Sequence, residues 1–130
     1  RRVPDRLPAM ISRRELTREQ AELAMRQGEF DPSVRAACLQ VAVVLTQDWC
    51  GQWAAMDRYL AELGARTPEL ELVVFQLEYN RVDYFQEFLR FKEEVLGNDA
   101  IPYVRYYRDG LLVGQSNYVS ELQFLSFFQD

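Results

Sequence analysis

Residues 39–45 read LQVAVVL, six apolar positions and one glutamine, with three valines. A strand with one wet face alternates polar and apolar residues, and this segment does not. Its composition suits a strand covered on both faces, the central position of an α/β sheet. A second run, LELVVFQL over 70–77, reads the same way. Between them Trp53, Met56, Tyr59 with Leu60, and Leu63 recur at spacings of three and four. That period predicts a helix over 50–63, ended by Gly64 and Pro68. Strand, helix and strand then form a parallel unit with a right-handed crossover.

The flanking segments extend this frame. Residues 1–8 hold four charges and two prolines and read as a loose, flexible lead-in. Residues 9–12 suit a short edge strand. Thr17 with Gln20 three positions later makes a capping-box pattern for a helix over 17–27, and Gly28 stops it. Residues 29–33, with Pro32, read as a turn. A helix is expected over 82–96, with Tyr84, Phe85, Phe88, Phe91 and Val95 on its inner side. Residues 102–108 and 111–115 read as two strands joined at Asp109-Gly110, a strong hairpin turn. Ser120 caps a last helix. The predicted order is β-α-β-α-β-α-β-β-α, a central mixed sheet flanked by helices, and 130 residues suit one domain over 9–130.

Composition excludes several kinds of chemistry. The net charge of −5 gives no bulk neutralisation of phosphates, so nucleic acid is not an expected partner. There is no histidine, which removes histidine triads and HExxH zinc sites. Two cysteines without histidine leave too few soft ligands for a metal, and no cofactor is expected. No apolar run has the length of a membrane span, so no membrane association is expected. Two cysteines are few for a small secreted scaffold, which points to a reducing, cytoplasmic compartment. Arg1 in place of an initiator methionine suits a processed chain or a piece of a longer one.

Asp48-Trp49-Cys50-Gly51-Gln52-Trp53 carries the most chemistry. It joins a buried strand to a helix, so Cys50 is expected at a helix N-terminus. Unpaired N–H groups and the positive dipole end favour thiolate over thiol there. Gly51 permits close approach by another chain. Cys38 is expected at the start of the strand that Cys50 follows, beyond bonding distance, as a buried and inert thiol.

This arrangement resembles the thioredoxin family over roughly residues 9–128. Trp49-Cys50-Gly51 stands where that family has Trp-Cys-Gly before a proline and a second cysteine. Ile101-Pro102 stands where it carries a cis-proline facing the active-site cysteine, and Arg108-Asp109-Gly110 resembles its strand-turn-strand. The resemblance implies a thioredoxin-like α/β fold, Cys50 as the catalytic group, and Trp49, Gly51, Trp53, Ile101 and Pro102 as binding residues. The backbone of Ile101 would then pair with an extended peptide beside Cys50. The departures bear on chemistry: Trp53 replaces the second cysteine, Gln52 the proline, and Val44 the family's buried aspartate.

Two functions remain. One is monothiol thiol–disulfide exchange at Cys50, with a protein disulfide or glutathione as the reacting partner and an external thiol resolving the adduct. The other is a redox-inactive, chaperone-like module binding peptide or protein around Trp49 and Pro102. Trp53 is expected either as core packing or as a cover over Cys50. Phe124, Phe127 and Phe128 are too many for the inner face of one short helix. They suggest either a covered C-terminus or a contact patch for a second copy or a further domain.

Overall fold

The computed structural model describes residues 11–129. The expected lead-in over 1–8 lies outside them. Five strands form one sheet in the order β1-β3-β2-β4-β5: β1 Ile11–Glu15, β2 Gln40–Thr46, β3 Leu72–Glu78, β4 Tyr103–Arg108 and β5 Leu111–Ser116. β1, β2 and β3 run parallel, with Val41 beside Val73 and Ile11 beside Leu72. β4 runs antiparallel to β2, with Val44 beside Val104, and β5 returns antiparallel to β4. Asp109 and Gly110 turn the hairpin with φ of 52° and 77°. That left-handed pair matches the twist of the two strands.

All seven residues of β2 are buried, as the apolar run predicts. Alternation divides them between two cores. Val41, Val43 and Leu45 join Val73, Phe75 and Leu77 under helix α1 (Arg18–Gln27), the one-turn helix α2 (Pro32–Arg35) and helix α4 (Phe85–Arg90). Ala42 and Val44 join Val74, Val104 and Tyr106 under α3 (Gly51–Arg66) and α5 (Glu121–Ser126). The capping boxes at Thr17 and Ser120 are both formed, and Gly28 ends α1 at φ 80°.

Several elements differ from expectation for physical reasons. Residues 32–35 are helical rather than a turn, because Pro32 stands in the first helical turn and Asp31 caps it through Ser33 N–H. α3 runs through Gly64 to Arg66, where the backbone and hydroxyl of Thr67 both donate to Leu63 O. The helix expected over 82–96 is composite. A 3₁₀ turn at Tyr79–Arg81 precedes α4, and Phe91–Val95 continues as a π-turn closed by Leu96 N–H on Phe91 O. One extra residue per turn shifts the inner stripe by one position. Leu96 therefore packs on the core and Val95 is 57% exposed rather than inward, while Lys92, four residues after Phe88, is fully buried.

Of the two readings of the C-terminal phenylalanines, the packing matches the covered C-terminus. Phe124 and Phe128 are buried and Phe127 is half-buried, all around the ring of Tyr106. Phe127 stacks on Tyr106 at 3.8 Å between centroids, while Phe124 and Phe128 meet it edge-on. They cover the chain's own sheet. Gly114 permits the stack: a Cβ there would lie 2.6 Å from Phe127.

On the opposite face, Arg105 is 6% exposed yet surrounded by acceptors. It donates to Glu29 (2.6 Å), Tyr107 (2.9 Å) and Tyr103 (2.8 Å), and Tyr107 also donates to Glu29. Partial burial pushes the Glu29 carboxyl up. The hydrogen bonds from Tyr107, Phe30 N–H and Arg105, with the Arg105 charge, outweigh that and hold it below the usual carboxylate range.

Glu29→Leu should leave a buried guanidinium without its counter-ion. The expected cost is about 2–4 kcal/mol in urea unfolding, toward the lower end because Glu29 is a third exposed. A depressed folded pKa means that this stability is present above the unfolded value of about 4.3 and is lost as pH falls through the folded one. Glu29→Gln should flatten that acid limb of the stability curve. Gly114→Ala should cost about 1–3 kcal/mol by displacing Phe127, and Phe127→Ala should recover part of it in the double variant.

Candidate functional site

In open α/β sheets the strand ends and the loops beyond them make the natural site. Here the C-terminal ends of β2 and β3 and the entry to β4 lie at one edge. β2 is followed by the turn Gln47–Cys50, in which Cys50 N–H donates to Gln47 O at 3.2 Å. Asp48 and Asn80 lock this turn to the end of β3. Asp48 N–H donates to Asn80 Oδ1 (2.9 Å) and Asn80 Nδ2 returns to Asp48 Oδ1 (2.7 Å). The side chain of Asp48 is thus engaged with an amide.

Cys50 is the N-cap of α3, with its sulfur accepting Trp53 N–H at 3.4 Å. An N-cap acceptor satisfies one of the free N–H groups of the first turn, and sulfur serves here in the place of the usual oxygen. The residue is only 6% exposed. Gly51 beside it is exposed, with no atom within 4 Å of an added Cβ. Trp49 is 69% exposed, its indole N–H held by Gln47 Oε1 at 2.7 Å.

Trp53 turns inward. It is 3% exposed, packs in the α3–α5 core, and donates from Nε1 to Glu78 Oε2 at 3.0 Å. Arg13 of β1 lies 5.9 Å from its ring centroid, and Arg81 approaches the other oxygen of Glu78 at 3.6 Å. The indole is therefore core packing with a polar tether. Val44 is fully buried in the same core, so no carboxylate occupies that strand position.

The Ile101–Pro102 peptide is cis and Pro102 is buried. Ile101 packs against the core group that contains Cys50 and Trp53. Cys38 lies two residues before β2, half-buried rather than fully buried, at the other end of the strand. Both thiols are free. Seven strand residues intervene, roughly 20 Å at a rise of about 3.3 Å each.

Sequence reasoning passed over Gln47, Glu78, Tyr79 and Asn80. Tyr79 is buried, with its hydroxyl 3.5 Å from Gln47 Nε2. Burial pushes its phenol up, against the Gln47 hydrogen bond. The usable signal was position: 78–80 directly follow β3, and parallel neighbours deliver their C-terminal ends to the same edge. Among the described residues no three His, Cys, Asp or Glu side chains stand together as a metal cluster. No helix there is long and apolar enough to cross a membrane.

No family model matches the sequence, and comparison with curated proteins gives no match. Solved structures do match. Oxidised thioredoxin O2 from Arabidopsis thaliana superposes with a TM-score of 0.61 at 13% identity, over 91% of this chain and 90% of that one. The long form of spinach chloroplast thioredoxin F gives 0.60 at 21% identity, over 88% and 82%. A poplar thioredoxin h gives 0.54 at 19% identity, over 91% and 92%. At these identities the likeness is one of fold: the chain has the α/β thioredoxin-like fold, a five-stranded mixed sheet flanked by helices.

Proposed function

We propose that the protein performs monothiol thiol–disulfide exchange through Cys50. The observation that carries this reading is the side chain of Trp53, buried and tethered to Glu78 where a helix-start dithiol would keep its second sulfur. The Cys50 thiolate attacks one sulfur of a partner disulfide. That S–S bond breaks, the other partner sulfur leaves as thiolate, and a mixed disulfide forms. No internal thiol follows. An external thiol such as glutathione attacks the partner's sulfur, returning Cys50 as thiolate and keeping the partner in a new mixed disulfide. Trp49, Gly51 and Ile101, the last set by the buried cis-proline Pro102, supply the surface on which the partner segment lies.

A second reading, a redox-inactive binding module on the same surface, is favoured by one contrast. Trp49 is 69% exposed while Cys50 is 6% exposed. An exposed indole offers a large apolar contact with a polar edge, whereas a covered thiol reacts slowly.

Glutathione disulfide separates the two. The native protein should gain one glutathione adduct, mapped by mass spectrometry to Cys50. Cys50→Ser should lose it and Cys38→Ser should keep it. An adduct only on Cys38, or none, overturns exchange and leaves the binding reading. Insulin reduction with a thioredoxin-type electron supply should show no catalytic turnover.

Trp53→Cys should convert the site. Helix positions three apart place Cβ atoms about 5–6 Å apart, and small first-turn adjustments bring such sulfurs to bonding distance. Mild oxidation should then consume both Cys50 and the introduced thiol, and insulin reduction with dithiothreitol should rise above the parent protein. The lost indole and its Glu78 bond should cost about 3–5 kcal/mol in stability. With Val44 in place of an acid, activity should remain well below that of a dithiol thioredoxin.

A further inference from the structure

We propose that Lys92 is a positioning residue for the Ile101–Pro102 turn, whose Ile101 packs on the core group that holds Cys50, acting through Asn98 and Asn117. This rests on the reading that Cys50 is the reacting group.

Lys92 is fully buried, which is costly for an ammonium unless its hydrogens find acceptors. It sits inward because it lies four residues after the buried Phe88 on the same helix face, below the loop that follows the π-turn. There Nζ donates to Asn98 O at 2.9 Å, and Asn98 N–H donates back to Lys92 O at 3.2 Å. Its Nζ also lies 5.8 Å from the ring centroid of Tyr103, the first residue of β4. Glu93 and Asp99 supply the negative charges near it. They oppose the burial that pushes the Lys92 ammonium below its usual range.

From Asn98 the restraint continues. Its side-chain amide pairs head-to-tail with that of Asn117, at 3.1 and 2.9 Å. Asn98 Oδ1 accepts Ala100 N–H at 3.0 Å. Asn117 Nδ2 reaches Pro102 O at 3.0 Å and Ala100 O at 3.3 Å. The turn is thus gripped from the helix by Lys92 and from beyond β5 by Asn117, with Asn98 joining the two. Ile101, carried by that turn, packs on the core group containing Cys50. A buried lysine serving packing alone is replaceable by an apolar residue of like shape at little cost. The ammonium contributes what methionine lacks, a fixed donor for the loop backbone.

The test is native-state alkylation by iodoacetamide, with the rate at Cys50 divided by the rate at Cys38 in the same molecule. Loosening the turn exposes Cys50 and leaves Cys38 unchanged, whereas global unfolding raises both. Lys92→Met should raise the ratio about tenfold, the signature of a local opening. Asn117→Ala should raise it too, and the double variant should add less than the sum because both act on one loop. A ratio unchanged or lowered in Lys92→Met with the fold intact overturns the proposal. If Lys92→Met raises both rates together, Asn117→Ala decides, and an unchanged ratio there overturns it. Glutathione adduct formation is read separately. An adduct with an invariant ratio sinks the positioning role alone, and a raised ratio without an adduct sinks exchange alone.

Discussion

β2 has no polar face to turn toward water, so it must lie between two layers. All seven of its residues are buried, and they alternate between the core under α1 and α4 and the core under α3 and α5. Its neighbours follow from the same demand: β3 and β4 cover its edges, and helices cover its faces. The chain must leave such a strand at its end, where the next residues meet solvent for the first time. Cys50 stands four residues beyond that exit, at the first point where a helix can begin.

The turn at that exit is held by polar bonds to the end of β3. Asp48 and Asn80 exchange two hydrogen bonds, and Trp53 reaches Glu78. Position within the fold therefore places the thiol. Val44 is aliphatic and Trp53 is an indole, and both serve the core beneath the sulfur.

Strong local signals made most of the fold legible. The two buried runs, the capping boxes at Thr17 and Ser120, and the Asp109-Gly110 hairpin each rest on interactions within a few residues. The composite helix was hidden because a widened turn leaves no mark in hydrophobic spacing: Val95 fits the α-helical stripe and Leu96 does not, yet Leu96 is the one packed on the core. Pro32 reads equally well as a turn or a helix start. At the site, Trp49, Cys50 and Trp53 were legible because they adjoin one another. Asn80 and Glu78 were not, since their partners lie 32 and 25 positions away. The packing of the three phenylalanines was open in sequence because its opposite wall, Tyr106 and Gly114, lies ten or more positions from them.

The π-turn at Phe91–Val95 is a single-residue surplus within an otherwise α-helical segment. A surplus of one is a unit of sequence change as well as of geometry. Deleting one residue among 93–95 would return the segment to α-helical register and rotate the side chains that follow, Leu96 first, away from the core they now meet. That shift of the inner stripe is thus one codon away, whereas no point substitution reproduces it. Length, more than side-chain identity, marks this stretch, and related chains are best sorted here by counting residues between Phe88 and Gly97.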